Sequence, residues 1–204
     1  MLDIRNCDCM DLLKEYPDKH FELAIVDPPY GISADSMTMG QGSGNDVGKF
    51  KAKGWDNNIP KNNYFVELKR VSRHQIIWGG NYFPLGISRC YLIWDKIDYN
   101  SDFASAELAW TSFDSVVKTF HHPRNTKTKR IHPTQKPVAL YEWLLTKYAK
   151  KGDKILDTHG GSMSIAIAAW NLGFDLTLCE LDKDYFEAGK KRVEWHMKQK
   201  RLLL

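Results

Sequence analysis

Lys154-Ile155-Leu156-Asp157-Thr158-His159-Gly160-Gly161-Ser162-Met163 is a short apolar strand that turns on paired glycines and enters an apolar helix running from Met163 to Trp170. Ser162 stands where a helix cap is expected. A second strand follows from Phe174 to Glu180, and a last helix rich in Lys and Arg begins at Asp182. Strand, turn, helix and strand in that order form a βαβ unit, which belongs to a mainly parallel sheet with helices on both faces. The turn glycines let a ligand approach the backbone, and the helix N-terminus attracts negative charge. Glu180, about twenty residues after the turn, is placed to hydrogen-bond ribose hydroxyls. The turn is not GxGxxG, so a nucleoside cofactor without pyrophosphate fits it better than a dinucleotide. An ordinary tight turn is the competing reading of this stretch alone.

Upstream, the apolar run Leu23-Ala24-Ile25-Val26 ends abruptly in Asp27-Pro28-Pro29-Tyr30. A short apolar run reads as a buried strand, and the prolines stop it. That strand delivers a carboxylate, a carbonyl-rich turn and an aromatic ring to the sheet edge where α/β folds bind ligands. Proline has no N–H, so the turn offers acceptors without donors of its own, which suits capture of an amino group beside a flat ring. Taken by itself, the tetrapeptide also reads as a plain strand-ending turn.

The other elements follow the same alternation. Met10 to Glu15 reads as a helical turn, Asn63 to Arg73 as a helix, and Gln75 to Trp78 as a strand ending at Gly79-Gly80. Tyr91–Trp94, Glu107–Thr111 and Val116–Phe120 are strand candidates, and Pro137 opens a helix through Leu140, Trp143, Leu144 and Leu145. The polar stretch 31–63, with Gly40, Gly42, Gly44 and Gly48, is predicted to be a mobile or functional loop. The expectation is an α/β fold, a mainly parallel twisted sheet, as one domain over residues 1–204.

A hydrophobic content of 43% and a charged content of 26% suit a soluble globular protein. No apolar run approaches a membrane span, and acid and base interrupt Met1-Leu2-Asp3-Ile4-Arg5 at once, unlike a signal peptide. The predicted setting is therefore intracellular. Cys7, Cys9, Cys90 and Cys179 match neither zinc-ligand spacing nor a disulfide framework, so reduced thiols and no metal are expected. Net charge is only +4, but its distribution is uneven. From Ser115 to Tyr141 there is no acid, yet Lys118, Arg124, Lys127, Lys129, Arg130 and Lys136 all occur. A second cluster, Lys49, Lys51 and Lys53, precedes Trp55. Basic segments interleaved with aromatic rings suit a phosphate backbone and unstacked bases, so nucleic acid is the expected partner. A solvated loop is the competing reading of either cluster alone.

Together these motifs resemble the β class of DNA amino-methyltransferases, which modify adenine N6 or cytosine N4 with S-adenosylmethionine. Asn6-Cys7-Asp8 followed by Leu12-Leu13 is similar to the opening motif of that class, and Ile131-His132-Pro133-Thr134-Gln135-Lys136-Pro137 to the segment leading into its cofactor half. Asp157 to Ser164 stands where the class has its glycine loop, and Glu180-Leu181-Asp182 where it has its ribose acid. Catalytic turn first and cofactor loop last is the circular order of this class; release-factor glutamine methyltransferases place the loop before their Pro-Pro-Tyr turn.

The resemblance implies a Rossmann-like methyltransferase fold and a role for each motif. Asp27 and the Pro28 carbonyl would accept the two amine hydrogens of adenine in a pyramidal geometry and free its lone pair for attack on the methyl group. Pro29 would keep the turn rigid, and Tyr30 would stack on a flipped or single-stranded base. Asp8 would contact the cofactor adenine, although a helix N-cap explains it nearly as well. Glu180 would hold the ribose, Asp157 the methionine amine, Thr134 and Lys136 the carboxylate, with Gly160, Gly161 and Ser162 forming the loop. The leading Asp favours adenine; cytosine N4 and an inactive nucleic-acid-binding member are the rivals.

The loop of the class reads Asp-Pro-Phe-x-Gly-Ser-Gly-Thr, whereas this chain carries Thr158, His159 and Met163 at the positions that depart. Met163 is expected in the first helical turn, where it is harmless. His132 reads as a plain loop histidine and Lys190-Lys191-Arg192 as a solvated face. Lys49, Lys51, Lys53 and residues 117–136, with Arg124, Lys127, Lys129 and Arg130, are the candidate DNA contacts. They leave little room for a recognition region, so recognition is expected to be short, relaxed or supplied by a second subunit, with a homodimer left open.

Overall fold

Strands β1 (Leu2–Arg5), β2 (Phe21–Val26), β3 (Ser72–Trp78), β4 (Tyr91–Asp95), β5 (Ala106–Thr111), β6 (Lys118–His121), β7 (Lys154–Asp157) and β8 (Asp175–Cys179) form one sheet in the order β1-β8-β7-β2-β3-β5-β4-β6. The computed structural model describes residues 1–35, 50–97, 104–124 and 130–201. The helices are α1 (Cys9–Lys14), α2 (Asn62–Val71), α3 (Val138–Tyr148), α4 (Ser164–Leu172) and α5 (Lys183–Arg201). Among the described strands only β5 runs against its neighbours, pairing antiparallel with β3 and β4. Among the described residues no helix is long and apolar enough to cross a membrane.

The central strands carry unbroken apolar runs because both faces are covered. On β2, Leu23 and Ile25 pack with Leu140 and Leu144 of α3 and Ile165 of α4. Ala24 and Val26 point the other way, into the cluster of Leu12 and Leu13 from α1 and Tyr64 and Leu68 from α2. The connection leaving β7 therefore goes to one face and the connection leaving β2 to the other. Ala24 pairs with Leu156, so β7 ends opposite Ile25 and Asp27 follows two residues further along the same sheet edge. Divergent connections at adjacent parallel strands open the crevice in which α/β sheets hold ligands.

Local expectations fail where tertiary pairing intervenes. The helix expected through Arg73 stops at Val71, because Ser72 already pairs with Phe21 in the sheet. β1 was not expected as a strand; it is short, and β8 is its partner in the sheet.

The start of α4 also differs from expectation. Ser162 does not cap it; the cap position is Met163, with φ 56° and ψ 33° and no side-chain cap bond. Met163 is thus left-handed rather than helical, a conformation that costs a non-glycine residue free energy. Its side chain is fully buried. Room for it exists because residue 189 on α5 is glycine: a Cβ there would lie 2.7 Å from Met163 Cγ.

Candidate active site at the ends of β2 and β7

The turn after β2 is held by a carboxylate from far along the loop. Asp56, 1% exposed, accepts from Tyr30 N–H at 2.6 Å and Gly31 N–H at 3.0 Å through Oδ1, and from Ala34 N–H at 2.8 Å through Oδ2. The first backbone donors after the prolines are therefore consumed, and the turn presents carbonyls. The Tyr30 ring lies against the backbone of Gly79, where φ is +71° and a Cβ would come within 2.2 Å of Tyr30 Cε1. Tyr82 stacks on Tyr30, with centroids 5.0 Å apart and planes 14° apart.

Four buried or half-buried charges meet beside that turn. Asp27 accepts from Tyr30 Oη–H at 2.6 Å on Oδ1 and from Lys136 Nζ on Oδ2. Lys136 Nζ also lies 2.9 Å from Glu107 Oε2, and Lys96 Nζ lies 2.8 Å from Glu107 Oε1. Lys136, expected near the cofactor carboxylate, is instead committed to Asp27 and Glu107, since a buried ammonium needs counter-charge at hydrogen-bond distance. Burial alone would push the Glu107 carboxyl up, but Lys136 and Lys96 outweigh it and hold it down at about 2. Asp27 is raised by burial and by Glu107, with Lys136 opposing. These groups line a cavity of about 390 Å³ together with Trp94, Arg124 and Arg130.

On the β7 side, Asp157 is 2% exposed and accepts from His159 N–H at 3.0 Å. Burial pushes its carboxyl up to about 8, the His159 N–H offsets part of this, and Asp27 and Glu180 add to it. Glu180 clasps the loop, accepting from Gly161 N–H at 2.7 Å and Asp182 N–H at 2.8 Å, and burial raises its carboxyl too. The N–H of Gly160 is spent on the Cys179 carbonyl at 2.9 Å. Asn6 donates to the Glu180 carbonyl at 2.7 Å, which brings the opening motif to this edge. Asp8 caps α1 by accepting from Met10 N–H at 2.7 Å.

The altered loop residues have partners of their own. Thr158 Oγ1 lies 2.7 Å from Tyr64 Oη of α2 and 2.9 Å from His159 Nδ1. Burial lowers His159 to about 4, so its ring is neutral. His132 is lowered to about 3, first by burial and then by Lys136; it packs against Trp55 and Tyr185, with Nδ1 3.1 Å from Thr134 Oγ1. Arg192 is not on a solvated face: it donates to the Ser162 carbonyl at 2.6 Å and to Ser164 Oγ at 3.0 Å. Ser164 Oγ is 3.1 Å from Ser162 Oγ and donates to the Lys136 carbonyl at 2.7 Å, which joins the loop to the charged cluster.

The basic residues separate. Arg124 and Arg130 line the cavity and Lys51 is exposed. Lys53 is not available to phosphate: its Nζ lies 2.7 Å from Asp182 and 2.7 Å from Asp184, and 4.6 Å over the Tyr185 ring. Its place in a basic cluster along the chain says nothing of the acids that the fold brings to it. Lys49, Lys127 and Lys129 lie outside the described residues, as does the middle of the long loop. Glu107, Lys96, Asp56 and Tyr82 were missed by sequence reasoning. A lone acid opening the apolar strand Leu108-Ala109-Trp110 and a lysine just past the strand Tyr91–Trp94 were the available signals.

With that geometry in place, residues 77–191 match the DNA methylase family of N6 and N4 methyltransferases. The chain belongs to this family. The matched segment carries Glu107, Lys136, the glycine loop and Glu180, and begins after the Asp27 turn. Among curated relatives, the type II methyltransferase M2.DpnII of Streptococcus pneumoniae is 38% identical over 140 residues, 69% of this chain and 49% of its own. The chain thus spans about half the length of that relative. The crystal structure of the M1.HpyAVI–SAM complex shares the fold, with TM-score 0.63 and 20% identity over 94% of this chain and 100% of that one. The PvuII DNA methyltransferase, described as cytosine-N4-specific, superposes with TM-score 0.64 and 11% identity over 97% of this chain and 90% of that one. Family and fold are therefore those of the N6 and N4 DNA methylases.

Proposed function

We propose that this protein transfers a methyl group from S-adenosylmethionine to the exocyclic amine of a base in DNA, adenine N6 being the target. One observation carries the reading: the Asp27 carboxylate lines the cavity on a turn whose Tyr30 and Gly31 N–H groups are spent on Asp56, at the end of a strand paired with the one that ends in Asp157. The cofactor fits the residues present. Asp157 is a buried carboxyl pushed up to about 8, the state expected of an acid awaiting a cationic partner such as the methionine ammonium. Glu180 would hold the ribose, with Asn6 bordering it through the Glu180 carbonyl. S-adenosylmethionine, when bound, supplies an electrophilic methyl group.

The chain's own residues do the rest. The Asp27 carboxylate and the Pro28 carbonyl accept the two amine hydrogens, drawing the nitrogen out of conjugation and stabilising the positive charge that builds on it. With the methyl group supplied by S-adenosylmethionine held by Asp157 and Glu180, Asp27, whose carboxyl is raised by burial, would take the proton that the alkylated nitrogen gives up. Tyr30, braced by Gly79, tied to Asp27 and stacked with Tyr82, would meet the base as part of that aromatic pair on the cavity wall. The base must leave the duplex to reach this cavity, with Arg124 and Arg130 at its lining to meet the backbone. The type II relative supports a restriction–modification setting. The leading Asp favours adenine, and the PvuII likeness keeps cytosine N4 as the rival.

Incubation with S-adenosylmethionine and unmodified DNA, followed by nucleoside mass spectrometry, tests this directly. N6-methyldeoxyadenosine is expected. N4-methyldeoxycytidine would move the target base, and absence of either from protein that binds the cofactor would sink the enzymatic reading.

A further inference from the structure

The cavity holds more charge than the proposed chemistry uses. Lys136 alone could orient Asp27, yet Glu107 shares that lysine and is itself balanced by Lys96. Buried ion pairs give little net stability over apolar residues, so a doubled network beside a cavity calls for another explanation. We propose that Glu107 is a positioning residue for Asp27: by sharing Lys136, it lets that lysine orient the Asp27 carboxylate without neutralising it. The inference rests on the methyl-transfer reading above.

The reasoning is electrostatic. Asp27 must polarise an amine hydrogen, and an acceptor paired wholly with an ammonium does so weakly. Glu107 Oε2 competes for Lys136 at 2.9 Å, while Lys96 at 2.8 Å from Oε1 keeps the four side chains neutral in sum. Facing Asp27 are Lys136 from the segment before α3, Glu107 from β5, Tyr30 from its own turn, Tyr141 from α3 and Asp157 from β7. Among these, Glu107 pushes the Asp27 carboxyl up and Lys136 draws it down. Loss of the Glu107 charge therefore lowers the pH at which Asp27 ionises and weakens it as an acceptor.

The test compares wild type, Glu107→Gln and the charge-balanced double variant Lys96→Met/Glu107→Gln. The assay is labelled methyl transfer from S-adenosylmethionine to a random-sequence DNA pool, duplex and single-stranded, from pH 5 to 9. Glu107→Gln strands Lys96 and can fail to fold, which is why the double variant is decisive. Its kcat is expected to fall at least about tenfold, with cofactor Kd within about twofold of wild type. The acid limb of its pH profile is expected to move down by about one unit. A folded double variant with wild-type kcat and an unmoved acid limb overturns the inference. Absence of transfer by the wild type sinks the methyltransferase reading instead.

Discussion

Asp157→Asn tests the cofactor site and the fold at once, with opposite signs. The carboxyl stands at about 8 in the folded protein against an ordinary 3.8, a difference of roughly four units. At 1.36 kcal/mol per unit, holding that group ionised in the folded protein costs on the order of 5 kcal/mol. Because the folded value is the higher one, this contribution to stability is fully present below about pH 4 and is lost as pH rises to about 8. Asparagine removes the titration while keeping an acceptor for His159 N–H. At about 2–4 °C per kcal/mol for a chain of this size, Asp157→Asn should melt about 10 °C above cofactor-free wild type at pH 9. The gap should shrink as pH falls towards 5. The same variant should lose about a hundredfold in S-adenosylmethionine affinity, because the ammonium loses its charged partner. Wild-type binding at pH 7 should release close to one proton, since a group at about 8 is roughly nine-tenths protonated there. Scanning calorimetry across pH, and titration calorimetry in buffers of different ionisation enthalpy, give all three quantities. An Asp157→Asn variant that melts below wild type at pH 9, or binds cofactor as tightly, refutes the reasoning.

Three further outcomes are expected. Asp27→Ala should abolish methyl transfer while leaving DNA binding measurable by gel shift; retained turnover would remove Asp27 from the mechanism. Asp56→Ala frees Tyr30 and Gly31 N–H and should lower kcat by about a hundredfold through a displaced turn, with cofactor Kd little changed. A change in cofactor Kd alone would count against that role. Gly189→Ala should destabilise by about 1–3 kcal/mol by crowding Met163, and Met163→Gly in the same chain should recover part of the loss. Additive effects in that double-mutant cycle would mean the two positions do not share one space.

The legible parts of this protein are those written by local chemistry. Prolines after Val26 stop β2 whatever the rest of the chain does, and the paired glycines after Asp157 end β7. Apolar runs separated by such punctuation announce buried strands, and their order along the chain implies a parallel sheet. Pro137 at the head of α3 and Asp8 at the head of α1 follow from the same short-range rules. The less legible parts are those where one side chain answers another far along the chain. Lys136 reads as a cofactor contact until Asp27, 109 residues away, is seen to hold it. Lys53 reads as a phosphate ligand until Asp182 and Asp184 are seen beside it.

Sequence alone determined which residues end strands β2 and β7 and therefore which groups reach the sheet edge, because strand ends and turns depend on neighbours within a few positions. Only the tertiary structure decided how those groups are charged and oriented. Counter-charge, burial and room are set by other elements: Glu107 on β5 for Lys136, Asp56 on the long loop for the Asp27 turn, Gly189 on α5 for Met163. The Asp27 turn is thus a local feature of the chain, whereas its electrostatic setting belongs to the folded sheet.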